Sequence, residues 1–104
     1  MAEDDEPVAA GRLLVLGAGT MGTQIALQAA LHDVDVELVD TDPEVLLRAA
    51  TEQRALLARR VERGRLEAGA AEPALRRIHL TDDLAGASRA SDWAIEAVPE
   101  RLDL

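Results

Sequence analysis

The chain has no cysteine, no tyrosine, no phenylalanine, no lysine and a single tryptophan. Without cysteine there is no disulfide scaffold, no thiolate metal site and no cysteine nucleophile. No apolar run approaches the roughly 18 residues that a membrane-spanning helix needs. The opening Met-Ala-Glu-Asp-Asp-Glu is acidic where a secretory signal is basic and then apolar. Histidine occurs only as His32 and His79, so candidates for a near-neutral general base are few. These absences leave a soluble, cytoplasmic protein, and 104 residues make one small domain. Its 48% apolar content suffices for a core and argues against general disorder.

Charge is unevenly spread. The net −9 comes from an acidic leader, an acidic stretch over residues 7–42 and an acidic end over 81–104. Between them, residues 43–80 carry eight Arg against five acids. Most of such a surface repels a duplex, so nucleic acid is excluded as a partner. The basic island reads either as a solvated helix face or as a surface for a small phosphorylated ligand.

Residues 1–11 read as an acidic, disordered leader. Residues 12–16 (Arg-Leu-Leu-Val-Leu), closed by Gly17, suit a short strand buried on both faces. Apolar residues then recur at helical spacing over 21–31, His32-Asp33 breaks the pattern, and 34–40 alternates as a strand. Asp42-Pro43-Glu44 is a helix start, with Asp42 as cap, Pro43 in the first turn and Glu44 at the positive end. That helix runs to Gly64. A short helix is expected over 71–77, a short strand over 78–80, a loop or single turn over 84–88, and a fourth strand over 93–98. Strands alternating with helices imply an α/β fold with a parallel sheet and right-handed crossovers.

Gly17-Ala18-Gly19-Thr20-Met21-Gly22 is a G-x-G-x-x-G that follows the first strand and opens the first helix. In a strand-helix-strand unit of about 30 residues this is the fingerprint of a dinucleotide site. Gly17 permits the tight turn, Gly19 lets a pyrophosphate approach the backbone amides at the helix N-terminus, and Gly22 lets helix and strand pack closely. Asp40 ends the second strand 18 residues after Gly22, near the expected spacing of about 20. A carboxylate there accepts from the adenosine ribose hydroxyls and repels a 2′-phosphate, which favours NAD over NADP. For Asp42, helix capping is the better reading. His32 falls in a turn away from the ligand crevice and His79 on a sheet-edge strand, so neither is assigned a catalytic role. No His, Asp or Glu cluster has metal-ligand spacing, and no Ser sits in a nucleophile motif.

Three stretches carry a resemblance. They are 16–22 with Ile25-Ala26, residues 61–66 (Val-Glu-Arg-Gly-Arg-Leu), and residues 91–100 (Ser-Asp-Trp-Ala-Ile-Glu-Ala-Val-Pro-Glu). Together they resemble the N-terminal NAD-binding domain of the 3-hydroxyacyl-CoA dehydrogenase family, over residues 12–104. The resemblance implies a three-layer, Rossmann-type parallel sheet, here incomplete, with about four strands in the order 3-2-1-4. It implies that Gly17 to Gly22 cradle the NAD pyrophosphate and that Asp40 binds the adenosine ribose. Ala97, Val98 and Pro99 would form a loop under the cofactor, with Glu100 beside the nicotinamide half. Arg63 matches a basic position that contacts the CoA portion of the substrate in some members, with Arg59 and Arg60 as weaker candidates.

Similar proteins continue into further strands that bring a Ser, the catalytic His, its Glu partner and an Asn, and then into a helical C-terminal domain. The expectation is therefore a partial domain that is inactive alone, with no catalytic residue of its own. Acyl-CoA would be met through a missing or separate part. The alternatives are a non-catalytic NAD-binding module and an inactive gene remnant. The strand at 93–98 is expected to form an apolar edge that self-associates or takes a complementing chain.

Overall fold

The computed structural model describes residues 11–97. Four strands, Leu13–Leu16 (β1), Val36–Val39 (β2), Ile78–Thr81 (β3) and Trp93–Glu96 (β4), form one parallel sheet in the order β3-β2-β1-β4. The helices are Thr20–Leu31 (α1), Pro43–Glu62 (α2), Ala68–Arg76 (α3) and Leu84–Ala90 (α4). The fold class and strand order expected from the sequence are those observed.

The register sorts the strand residues onto two faces. Val15, Val36, Leu38 and Ile78 point to one side and pack with Ala26, Leu27 and Ala30 of α1, Ala49 and Leu57 of α2 and Ala74 of α3. Alanine at Ala26 and Ala30, both fully buried, lets α1 lie close on the sheet. Leu14 and Val39 point to the other side, against Ala87 of α4. With helices on both faces, all four residues of β2 are buried.

β2 includes Glu37, an acid only 4% exposed. Arg12 Nη1 lies 2.6 Å from one of its carboxylate oxygens and His79 Nδ1 2.7 Å from the other. Glu37 and His79 are register partners on β2 and β3, and Arg12, just ahead of β1 and two residues before Glu37's partner Leu14, lies on the same α4 face. His79 stands on the edge strand as expected, and its ring serves this buried carboxylate.

Helix ends follow their sequence signals closely. Asp42 Oδ1 accepts from Glu44 N–H at 2.9 Å, and Pro43 opens α2. Gly64, at φ 69°, ends that helix in the left-handed conformation, and Arg65 N–H returns to the Arg60 carbonyl. His32 caps the end of α1, its Nδ1 2.8 Å from the Gln28 carbonyl oxygen. Arg77 reaches the same end, donating to the Ala30 carbonyl at 2.8 Å and pairing with Asp33.

Two elements differ from expectation. Residues 84–88 were expected as a loop or single turn, but α4 covers Leu84–Ala90. Asp83 Oδ1 caps it by accepting from Gly86 N–H, and Ala87 buries itself against the sheet, so capping and tertiary contact stabilise a helix too short to stand alone. α3 begins at Ala68, three residues before the expected start, and carries Pro73 inside it. Residues 1–10 of the expected leader over 1–11, and the last expected residue of the fourth strand, Val98, lie outside the described residues. No helix among the described residues is long and apolar enough to cross a membrane.

Candidate functional site

β1 runs out into Gly17, whose φ of 104° is a conformation that glycine adopts without strain. Neighbouring strands pin this turn from both sides. Gly17 N–H donates to the Val39 carbonyl at 2.7 Å, and Ala97 N–H donates to the Leu16 carbonyl at 2.8 Å. Ala18 is buried and held at both ends of its backbone. Its N–H donates to Asp40 Oδ2 at 2.9 Å, and its carbonyl accepts from Thr23 Oγ1 at 3.1 Å.

Gly19 and Gly22 do different work. A Cβ on Gly22 would lie 1.7 Å from the Gly17 carbonyl oxygen, so only glycine lets α1 approach the end of β1 this closely. A Cβ on Gly19 would meet nothing within 4 Å, and the backbone there is ordinary, with φ −72°. Gly19 thus faces open space at the start of α1. No side chain caps that helix and its first turn holds no acid, so its leading amides and the positive end of its dipole remain for a ligand.

The open space belongs to a cleft of ≈ 380 Å³ at the C-terminal edge of the sheet, lined by Leu16, Gly17, Gly19, Val39, Asp40, Thr41 and Val45. One wall is apolar, from Leu16, Val39 and Val45. Asp40 is the ionisable group in that lining; its Oδ1 accepts from Asp42 N–H at 2.9 Å. Each carboxylate oxygen thus takes one backbone N–H and keeps lone-pair capacity for a further donor. A second cleft of ≈ 260 Å³ continues on the far side of Gly19, between α1 and α2, where Thr20 faces Arg48 and Glu52.

A glycine turn, an uncapped helix start and a carboxylate at the end of the neighbouring strand make a dinucleotide site in a parallel α/β sheet. Comparison with known proteins gives the same answer more narrowly. The profile of the family described as "3-hydroxyacyl-CoA dehydrogenase, NAD binding domain" matches residues 12–104. The chain belongs to this family.

A 3-hydroxyadipyl-CoA dehydrogenase of Escherichia coli K12 is 43% identical over 90 residues, 86% of this chain and 19% of that protein. Among solved structures, a 3-hydroxybutyryl-CoA dehydrogenase from Escherichia coli K12 superposes with a TM-score of 0.82 at 40% identity, covering 88% of this chain and 19% of the other. An (S)-3-hydroxybutyryl-CoA dehydrogenase from Ralstonia eutropha gives 0.82 at 27% identity, over 88% of this chain and 32% of its own. The chain thus spans from a fifth to a third of these relatives. NAD is the cofactor of the family's N-terminal domain, and the open backbone at Gly19 is compatible with it.

Of the residues singled out by sequence, Gly17, Gly19 and Asp40 line the cleft, and Ala18, Gly22 and Ala97 pack around the glycine turn beside it. Thr20 and Met21 are exposed at the start of α1. Val98, Pro99 and Glu100 lie outside the described residues. Arg63 is not brought to the cleft. It caps the far end of α2, whose 20 residues at about 1.5 Å each place it roughly 30 Å from Asp42. His32 and His79 both lie away from the cleft. Thr23 and Gln53 escaped notice in the sequence. Thr23 directly follows the third glycine, and Gln53 is a polar residue in the buried stripe Ala49, Gln53, Leu57, and that interruption is the signal that could have found it.

Proposed function

We propose that this chain holds NAD for the oxidation of a 3-hydroxyacyl-CoA to the 3-oxoacyl-CoA in cytoplasmic fatty-acid and acyl-CoA metabolism. The observation that carries this reading is the contrast between Gly22, where a Cβ strikes the Gly17 carbonyl oxygen, and Gly19, where it would enter the open cleft. In this reading the leading amides of α1 take the pyrophosphate. Asp40 accepts from the adenosine ribose hydroxyls with its remaining lone pairs and disfavours a 2′-phosphate. Leu16, Val39 and Val45 shield the adenosine half from water. By the family resemblance, Ala97, Val98 and Pro99 contact the cofactor and Glu100 its nicotinamide half. Bound NAD supplies the acceptor for the hydride leaving the substrate's C3. The hydroxyl proton goes to a base outside residues 11–97, since His32 caps α1 and His79 serves Glu37. Arg63 meets the CoA portion of the substrate.

β4 supports one further element of the reading. It is an edge strand among the described residues, and Trp93 and Ile95 on it are exposed. We take this edge to pair with another strand, from a second copy or a complementing chain. Calorimetric titration with NAD, NADP and ADP-ribose tests the cofactor reading. NAD and ADP-ribose bind, NADP binds more weakly, and absence of NAD binding overturns it. NADH formation from a 3-hydroxyacyl-CoA, with and without an added complementing chain, tests the reaction.

A further inference from the structure

We propose that Thr23 and Gln53 are positioning residues for the dinucleotide site, holding the Gly17–Gly22 turn in its binding conformation before ligand arrives. The inference rests on the NAD reading above and deepens it. Both side chains are almost wholly enclosed between α1 and α2, Thr23 at 2% and Gln53 at 1% exposure. Gln53 Nε2 donates to the Thr23 carbonyl at 3.1 Å, across 30 residues of sequence. Thr23 Oγ1 in turn donates to the Ala18 carbonyl at 3.1 Å.

From Ala18 the chain of bonds continues to the other side of the cleft. Ala18 N–H donates to Asp40, Asp40 accepts Asp42 N–H, and Asp42 accepts Glu44 N–H in the first turn of α2. α2 is therefore tied to the glycine turn twice, at its start through Asp42 and Asp40, and three turns further on through Gln53 and Thr23. The Ala18 peptide lies between the two ties.

Stability alone does not explain Gln53. Its neighbours in the stripe, Ala49 and Leu57, are apolar, and burying an amide there costs desolvation that a leucine avoids. The Thr23 carbonyl also has its ordinary place in the α1 hydrogen-bond ladder, so the Gln53 bond is additional to what the helix requires. What the bond does add is a fixed register between the helix bearing the glycine turn and the helix that follows Asp40. Binding groups held in place before association do not have to be ordered by the ligand, and this raises affinity.

The test uses the full 104-residue chain and the variants Gln53→Leu, Thr23→Val and Thr23→Ser. NAD, ADP-ribose and adenosine are titrated calorimetrically, and each variant is melted by circular dichroism. Gln53→Leu is expected to melt at or above the wild-type temperature while binding NAD and ADP-ribose about fivefold more weakly, the equivalent of one lost hydrogen bond. Thr23→Val weakens both ligands similarly and Thr23→Ser restores them. Adenosine, which lacks the pyrophosphate and meets the network only through Asp40, is weakened far less than either. In the unliganded chain, amide exchange at Ala18 and Gly19 rises in Gln53→Leu and Thr23→Val. The proposal is overturned if wild type binds NAD and both variants match it, or if adenosine weakens in parallel with NAD. Failure of wild type to bind NAD or ADP-ribose is a different result and overturns the cofactor reading itself.

Discussion

The two glycines at the start of α1 should separate folding from binding when each is replaced by alanine. At Gly22 the new methyl would stand 1.7 Å from the Gly17 carbonyl oxygen and 2.9 Å from its carbon. Both are backbone atoms, so no rotamer relieves the clash. Ordinary contact needs roughly twice the first distance, so α1 must move off β1 by about 1.5 Å, and overpacking of this kind costs about 1–3 kcal/mol or more. For a chain of this size each kcal/mol lowers Tm by about 4–8 °C. At Gly19 the methyl meets nothing within 4 Å and the backbone suits alanine, and because alanine is a poorer N-cap than glycine the gain in rigidity is offset and stability stays close to wild type. In the proposed binding mode that methyl stands where the pyrophosphate approaches the amides, and NAD affinity is expected to fall by about tenfold or more, the factor equal to 1.4 kcal/mol. Thermal melts followed by circular dichroism, paired with calorimetric titration of NAD, read both effects. Full NAD affinity in Gly19→Ala would refute the reasoning, as would an unchanged melt in Gly22→Ala.

Asp40→Asn keeps the shape but offers one acceptor where Ala18 and Asp42 present two N–H donors. It should cost about 1 kcal/mol of stability and narrow the preference for NAD over NADP, measured by melting and competitive titration. Arg12→Leu leaves the buried Glu37 carboxylate with His79 alone. Because Arg12 is itself 40% exposed, the loss is held to about 1–2 kcal/mol, and adding Glu37→Leu should recover part of it in urea unfolding. Arg63→Glu, roughly 30 Å from the cleft along α2, should leave NAD affinity untouched while weakening binding of CoA. Equal loss of both ligands would count against its assignment.

Most of the fold was legible because local signals and global arrangement agree. The cap at Asp42, the end of α2 at Gly64 and the turn at Gly17 carry their causes in one or two adjacent residues, while the strand order followed from the family resemblance. α4 was misread because its local cap, Asp83, is only part of what stabilises it: Ala87 also packs on Leu14 and Val39, far away in sequence. Glu37 was equally opaque. In an alternating strand it looks like an outward residue, and only the reach of Arg12, just ahead of β1, and of His79 on β3 explains a buried acid. The basic island divides similarly. Arg77 closes the end of α1 and Arg60 Nη1 donates to Gln28, whereas Arg63 stands at the exposed end of α2. Charge counting along the chain cannot separate these roles, because each depends on which helix end lies nearby.

An acidic protein that binds a pyrophosphate poses an electrostatic question, and the two helices bordering the cleft answer it. Both point their positive ends toward the C-terminal edge of the sheet. α2 satisfies its own end internally, with Asp42 as cap and Glu44 in the first turn. α1 has neither cap nor acid, and glycine occupies its N-cap. Asp40, the acid beside it, already has each carboxylate oxygen engaged by a backbone N–H, from Ala18 and from Asp42, which partly offsets its charge next to the leading amides of α1. The site therefore does not need a positive net charge. It needs one helix start left unfilled next to another that is filled, and the sequence writes that difference as Gly-Thr-Met-Gly in one place and Asp-Pro-Glu in the other.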